Sequence, residues 1–364
     1  MAISIRAYQP GDEQKLVDLL TETFNGWPRL DIQCDPVDYW RWMFVDNPNK
    51  IKVIALATSD DKIIGCAHDL VQRIKIGEGY YLIGHGVAVA THMNHRGMGV
   101  YNKVNSHRTK LERAAGIVFH YSIDNNPILV KRAKRHDLDF PSSMEMMFRI
   151  RDVDAYLKAS HISNATLKKY GFYSVKILNK LMTSRKTFSG FDDDFEVQEI
   201  NRFDDDYSRL WDRVRSYYSF IVSRDVDYMN WRYFDPRIGR YIVKIAKAGE
   251  EVLGYIVLRV NKYDKDNPIG YIVDLLVQPN HLDVALKLVE DGITYFDLKN
   301  VNVIQVNILK KSLFESLLKK MGFIDAVRQP YLNISKDYRN EIVDELFKFD
   351  KKSIHFSFGD WDNI

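Results

Sequence analysis

The chain has 364 residues, 46% of them hydrophobic, which is enough for more than one core and too long for one ordinary domain. Its 52 basic residues nearly balance 49 acidic ones, leaving a formal net charge of +3. That balance excludes a strong global field for nucleic acid or an anionic membrane and fits a small anionic ligand held at a local basic spot. The two cysteines, Cys34 and Cys66, form neither a disulfide framework nor a CxxC metal site. The start MAISIRAYQPGDEQ has no basic-then-apolar signal segment, and no apolar run reaches the roughly 20 residues of a membrane span. A soluble protein in a reducing cytoplasm is expected, with no metal.

In chain order, Ile3–Arg6 reads as a strand, and Gly11-Asp12 opens an amphipathic helix with Leu16, Leu19, Leu20 and Phe24 on one face. A second helix around Val37–Phe44 ends at Asn47-Pro48, because proline cannot continue the hydrogen-bond ladder. Ile51–Ala57 and Lys62–Ile74 read as a hairpin, and Tyr80–Thr91 as a third β segment. A helix from about Val100 to Ala115, a strand Ile117–Ile123, a helix Pro127–His136 and a last strand Met144–Ile150 follow. This order makes one mixed sheet with helices on its faces, an α/β (α+β mixed-sheet) fold over residues 1–150. Residues 151–193 read as a helical linker that ends in the polar stretch Thr183–Asp194.

From 194 to 364 the pattern starts again. Val37-Asp38-Tyr39-Trp40-Arg41-Trp42 and Val226-Asp227-Tyr228-Met229-Asn230-Trp231 share four of six residues at an offset of 189, and Phe44, Asp46 and Gly65 meet Tyr233, Asp235 and Gly254 at the same offset. Strands Tyr241–Ala246, Val252–Val260, Gly270–Val277 and Val303–Asn307 repeat the order of the first half, so a duplicated fold is expected. The aromatic helices read as core packing rather than base-stacking surfaces, because the chain has no basic stripe. The tail Ile354–Asp362 alternates apolar and polar residues and reads as an edge strand followed by an exposed turn.

The chemistry concentrates at Arg96-Gly97-Met98-Gly99, between a strand and a helix. A G-x-G pair there lets backbone N–H groups approach a pyrophosphate, the helix N-terminus favours the anion, and Arg96 adds a fixed cation. Thr91 through Tyr101 resembles the acetyl-CoA-binding motif R/Q-x-x-G-x-G/A of the GCN5-related N-acetyltransferases (GNAT), with Arg96 and Gly99 matching and Tyr101 standing where the family commonly has glycine or alanine. The resemblance implies two tandem GNAT-like acyl-CoA N-acyltransferase domains, with acetyl-CoA as cosubstrate and a small primary amine as acceptor.

It further implies that the backbone of Val89 and Thr91 meets the thioester and pantetheine. The amides of Arg96, Gly97, Met98, Gly99, Val100 and Tyr101 would hold the pyrophosphate, and Asn125 or Asn126 would lie beside the pantetheine arm. The family's glutamate base, eleven residues before the motif, corresponds to His85, whose ordinary pKa suits proton transfer near neutrality. The family's tyrosine acid is missing, since Pro127–His136 contains no tyrosine. In the second copy the equivalent turn, Gln278-Pro279-Asn280-His281, has neither glycine nor arginine, so that copy reads as degenerate. Two other functions stay open on the sequence: an aminoacyl transferase of the peptidoglycan-bridge type, and a non-catalytic protein that binds a coenzyme or a partner.

Overall fold

A computed structural model describes residues 3–152, 195–263 and 267–361, so the expected linker helices at 151–193 and the last residues of the tail lie outside the described residues. The chain divides into two units, the first made of Met1–Pro141, Ser219–Gly239 and Tyr331–Phe349, and the second of Ser142–Tyr218, Arg240–Pro330 and Asp350–Ile364.

The strands, in chain order, are β1 (Ser4–Ala7), β2 (Val53–Ser59), β3 (Lys62–Ile76), β4 (Gly79–Thr91), β5 (Ile117–Asp124), β6 (Leu138–Asp139), β7 (Met144–Ile150), β8 (Glu196–Ile200), β9 (Phe220–Val222), β10 (Tyr241–Ala248), β11 (Glu251–Asn261), β12 (Ile269–Val277), β13 (Val303–Leu309), β14 (Ile324–Asp325) and β15 (Tyr331–Ile334). The first unit holds the sheet β1-β2-β3-β4-β5-β15-β6, with β9 pairing the far end of β3. The second holds β14-β7-β13-β12-β11-β10-β8. Among the described residues each sheet has one parallel pair, β4 with β5 and β12 with β13; its other pairings are antiparallel.

The helices are α1 (Glu13–Phe24), α2 (Pro36–Phe44), α3 (Val100–Ala114), α4 (Pro127–His136), α5 (Asp205–Tyr217), α6 (Val226–Phe234), α7 (Leu282–Leu298), α8 (Glu315–Lys320) and α9 (Glu341–Leu346). Local chemistry sets their starts. Asp35 caps α2 by accepting from the Val37 amide with Pro36 in the first turn, and Asp225 caps α6 by accepting from Tyr228. Helix α3 buries Val100 and Val104 with Ala55, Ala57, Ile64 and Ala67 of the first sheet. In the second unit α7 buries Val284, Leu288 and Phe296 with Ile256, Leu258, Ile272 and Ile304.

The duplication read from the sequence is present in the fold. Both hairpins carry a bulge at the same place, between Ala57 and Thr58 and between Ala246 and Lys247, and Gly65 pairs Ala57 as Gly254 pairs Ala246. The boundaries differ from the expected ones. Met144–Ile150 does not finish the first sheet but runs antiparallel to β13, while β15, from beyond residue 330, runs antiparallel to β5. Periodicity identifies Met144–Ile150 as a strand but not its partner, and the four-residue Tyr331–Ile334 is too short to be read as one.

Helix α6, the second copy's aromatic helix, also belongs to the first unit. Its Trp231 stacks on Trp42 at 4.8 Å. The two indoles exchange hydrogen bonds, Trp42 Nε1 donating to the Trp231 carbonyl at 3.1 Å and Trp231 Nε1 to the Trp42 carbonyl at 3.2 Å. The pairing is reciprocal, residue for repeated residue. Both rings are buried, as core packing requires.

Candidate functional site

In the first unit β4 and β5 stay paired from Leu82↔Ile117 only as far as His85↔Tyr121, and β4 then continues to Thr91 without β5. A bulge where β4 passes β3 puts Ala88 at φ 48°. Beyond the strand, Met93–His95 forms a single 3-10 turn. Gly97 and Gly99 follow with φ of 79° and 72°, where a side chain would be strained. Gly99 is the cap residue of α3 and offers no side chain to its first N–H groups, so these donors remain available to an anion. Arg96, Gly97, Met98 and Gly99 are exposed, and Val100 is buried under them.

The parting of the strands opens a cleft of about 430 Å³, lined among others by Gly86, Val89, Tyr101, Arg108, His120 and Asp124. Tyr101, the departure from the family motif, accepts a hydrogen bond from Arg132 of α4, whose guanidinium also lies over its ring at 4.5 Å. The aromatic ring thus fixes a cation at the cleft wall. Thr91 is half-buried, and its carbonyl accepts from Arg96 Nε at 3.4 Å. Asn126 uses its side chain to cap α4 through the Ile128 amide. Asn125 is exposed, and neither asparagine lines the cleft.

At the inner end of the cleft lies a buried charged cluster that sequence reasoning missed. His120 of β5 turns Nδ1 to Glu112 of α3 at 2.8 Å and to Asp69 of β3 at 3.4 Å. The shorter approach is an ion pair in which the ring N–H is not aimed along the contact. Arg108 sits 3.3 Å from Asp69 and 3.6 Å from Glu112, and the Tyr338 hydroxyl donates to Glu112. Burial presses both carboxyl groups toward their neutral forms. At Glu112 the close contacts with Asp69 and His120 and the charges of His120 and Arg108 win, and its pKa is lowered. At Asp69 burial wins and the pKa rises to about 6. For His120, burial and Arg108 oppose the charged form, yet Asp69 and Glu112 outweigh them and its pKa is raised. Asp69, Glu112 and His120 offer ligand atoms within 4.8 Å of one another, a spacing a metal could use. Arg108 already supplies the counter-cation there.

His85 lies away from the cleft. Its ring is 1% exposed, stacks on Tyr121 at 4.5 Å and does not line the cleft. Burial, reinforced by the nearby His120 and Arg232, holds its pKa down at about 3, so it is neutral near pH 7 and a weak proton acceptor. Signal for the missed cluster existed in the sequence of α3. The buried positions run Val100, Val104, Arg108, Glu112 at intervals of four, an apolar stripe that turns charged at its end.

The second unit repeats the strand geometry with a different outcome. β12 and β13 pair from Ile269↔Val303 to Ile272↔Val306 and then part. In the turn before α7, the His281 amide donates to the Gln278 carbonyl and the Gln278 amide to Leu253, so these donors are already used. The notch is filled by the tail. Ser357 donates to Asp274 at 2.8 Å, the His355 ring lies 3.5 Å from the same carboxylate, and Phe358 meets Tyr271 edge-on. Ile354 through Trp361 are buried and leave a remnant of about 20 Å³. The expected edge strand with an exposed turn is instead a buried plug ending in a 3-10 turn, Phe358–Asp360. Alternation misled because both faces of the segment have protein partners: the polar residues meet Asp274 while the apolar ones fill the slot.

A family model described as an acetyltransferase (GNAT) domain matches residues 4–122. No curated protein sequence matches the chain. Among solved structures, N-myristoyltransferase of Saccharomyces cerevisiae with bound myristoyl-CoA superposes with a TM-score of 0.60 at 9% identity, covering 94% of this chain and 87% of that one. A GCN5-related N-acetyltransferase from Anabaena variabilis superposes with a TM-score of 0.59 at 11% identity, covering 92% and 72%. The splayed β4–β5 pair, the glycine turn and these likenesses lead to one assignment: residues 4–122 match a GNAT domain model, and the chain has the GNAT fold in two tandem copies, the second without the glycine turn.

Proposed function

We propose that the protein is an N-acetyltransferase that moves an acetyl group from acetyl-CoA to the primary amine of a small acceptor by direct attack in a ternary complex. The observation that carries this reading is the open cleft between β4 and β5, next to a helix start whose N–H groups are unused. In this reading the Val89 amide donates to the thioester oxyanion, the Gly97–Tyr101 turn holds the pyrophosphate, and the Tyr101–Arg132 pair meets a phosphate. A short acyl group is supported by the inner end of the cleft. Arg108 and His120 stand there, and a long alkyl chain would have to lie against buried charge.

The test is calorimetric titration of acetyl-CoA into wild type and Gly99→Asp. The variant adds an anion at the helix start and a side chain at a φ of 72°, so binding is expected to weaken at least about 100-fold, several kcal/mol by the usual conversion. Wild type that binds no acetyl-CoA, or a folded variant that binds it as tightly, would refute the reading. Competition by myristoyl-CoA as strong as by acetyl-CoA would remove its acetyl component.

A further inference from the structure

We propose that His120, not His85, accepts the proton of the attacking amine, and that Glu112 and Asp69 act as positioning residues that orient its ring. The inference rests on the acetyl-transfer reading and specifies its proton acceptor. With Nδ1 turned to the two carboxylates, Nε2 is the ring nitrogen left for a ligand. It lies at Gly86 on the cleft lining. A methyl group on Gly86 would stand 2.7 Å from Nε2, 2.5 Å from Cε1 and 3.0 Å from Arg108 Nη1. Glycine at 86 is therefore what lets the imidazole and guanidinium reach the inner end of the cleft, where the strands part and a thioester carrying a short acyl group would end.

The step balances without a further reactant. The amine nitrogen bonds to the thioester carbonyl carbon, and its N–H proton passes to His120 Nε2. The C–S bond breaks with its electron pair on sulfur, and the thiolate takes the proton back from His120, giving the amide and free coenzyme thiol.

The groups facing His120 are Asp69 from β3, His85 from β4, and Arg108 and Glu112 from α3, with the Tyr338 hydroxyl behind Glu112. On the cleft side Asp124 of β5, Arg132 and His136 of α4, and Asp137, Lys336 and Asp337 share its lining. The two carboxylates dominate the balance and raise the imidazole above its ordinary 6.5. The neutral, proton-accepting form therefore appears as pH rises through that higher value, and removing the Glu112 charge moves the transition to lower pH.

The experiment titrates the imidazole resonances by NMR in the full-length protein, with and without saturating acetyl-CoA. It also measures thiol release from acetyl-CoA against pH with hydroxylamine as the probe amine. One histidine is expected to titrate above pH 6.5, to be missing from His120→Gln, to shift on adding acetyl-CoA and to titrate lower in Glu112→Gln. Thiol release in His120→Gln is expected to fall by about 10²- to 10⁴-fold and to lose its rise with pH, while His85→Gln keeps that rise. A His120 resonance that ignores bound acetyl-CoA overturns the proposal, as does a His120→Gln protein with the wild-type rate and pH profile. Where His120→Gln fails to fold, an unshifted midpoint in Glu112→Gln overturns it alone. Absence of acetyl-CoA binding to wild type is a failure of the acetyl-transfer reading, seen separately by calorimetry.

Discussion

The two parallel strand pairs make the instructive contrast. β4/β5 and β12/β13 each hold together over a short stretch and then diverge, yet the first divergence is a cleft of about 430 Å³ and the second a remnant of about 20 Å³. The backbone is common to both, and what fills the notch differs. In the first unit a glycine turn leaves helix N–H groups free and small or polar residues line the gap. In the second the turn has neither glycine nor arginine and the chain's own tail supplies the contents. A splayed pair is thus a scaffold for a site rather than a site, and the turn beside it decides whether an anion can be held.

Experiments can break that contrast. The largest effect is expected from Phe356→Ala, which empties part of the plug and should cost about 3–5 kcal/mol in chemical denaturation, as for other buried aromatic truncations. The stoichiometry of acetyl-CoA should stay at one per chain, since the second turn still lacks the glycines and the arginine of the first. A second equivalent bound in the variant would show that the tail alone separates the two notches. Gly86→Ala should be milder, pushing the His120 ring aside and lowering turnover by about tenfold, roughly 1.4 kcal/mol, with coenzyme affinity retained. Loss of affinity with turnover preserved would mean that Gly86 serves the coenzyme and not the histidine. The smallest change is Ser357→Ala. It removes the bond accepted from the Gly359 amide and one to an Asp274 carboxylate that keeps the Tyr255 hydroxyl at 2.8 Å, so about 1 kcal/mol is expected from a melting curve. A loss as large as that of Phe356→Ala would make polar anchoring, not apolar filling, the basis of the plug.

Much of the fold was legible because it rests on local signals. The glycine turn at Gly97 and Gly99, the helix starts at Asp35 and Asp225, and the repeat joining Trp42 to Trp231 depend on neighbours in sequence or on self-similarity. The exchanged strands were not legible, since nothing within Met144–Ile150 or the short Tyr331–Ile334 specifies which sheet receives it. At the site, Val89 and Tyr101 line the cleft that their motif positions implied, whereas His85, Asn125 and Asn126 do not. His120 escaped notice because its significance comes from Asp69 and Glu112, which approach it from a different strand and a helix.

The exchange of strands also constrains how the molecule comes into being. The first sheet needs β15, and the first core needs Trp231, so a ribosome that has released only residues 1–150 has made no complete unit. Until Tyr331–Ile334 emerges, β5 shows a row of unpaired amides and carbonyls of the kind that recruits other chains. Splitting the gene between its two halves would therefore yield two sticky fragments in place of two domains.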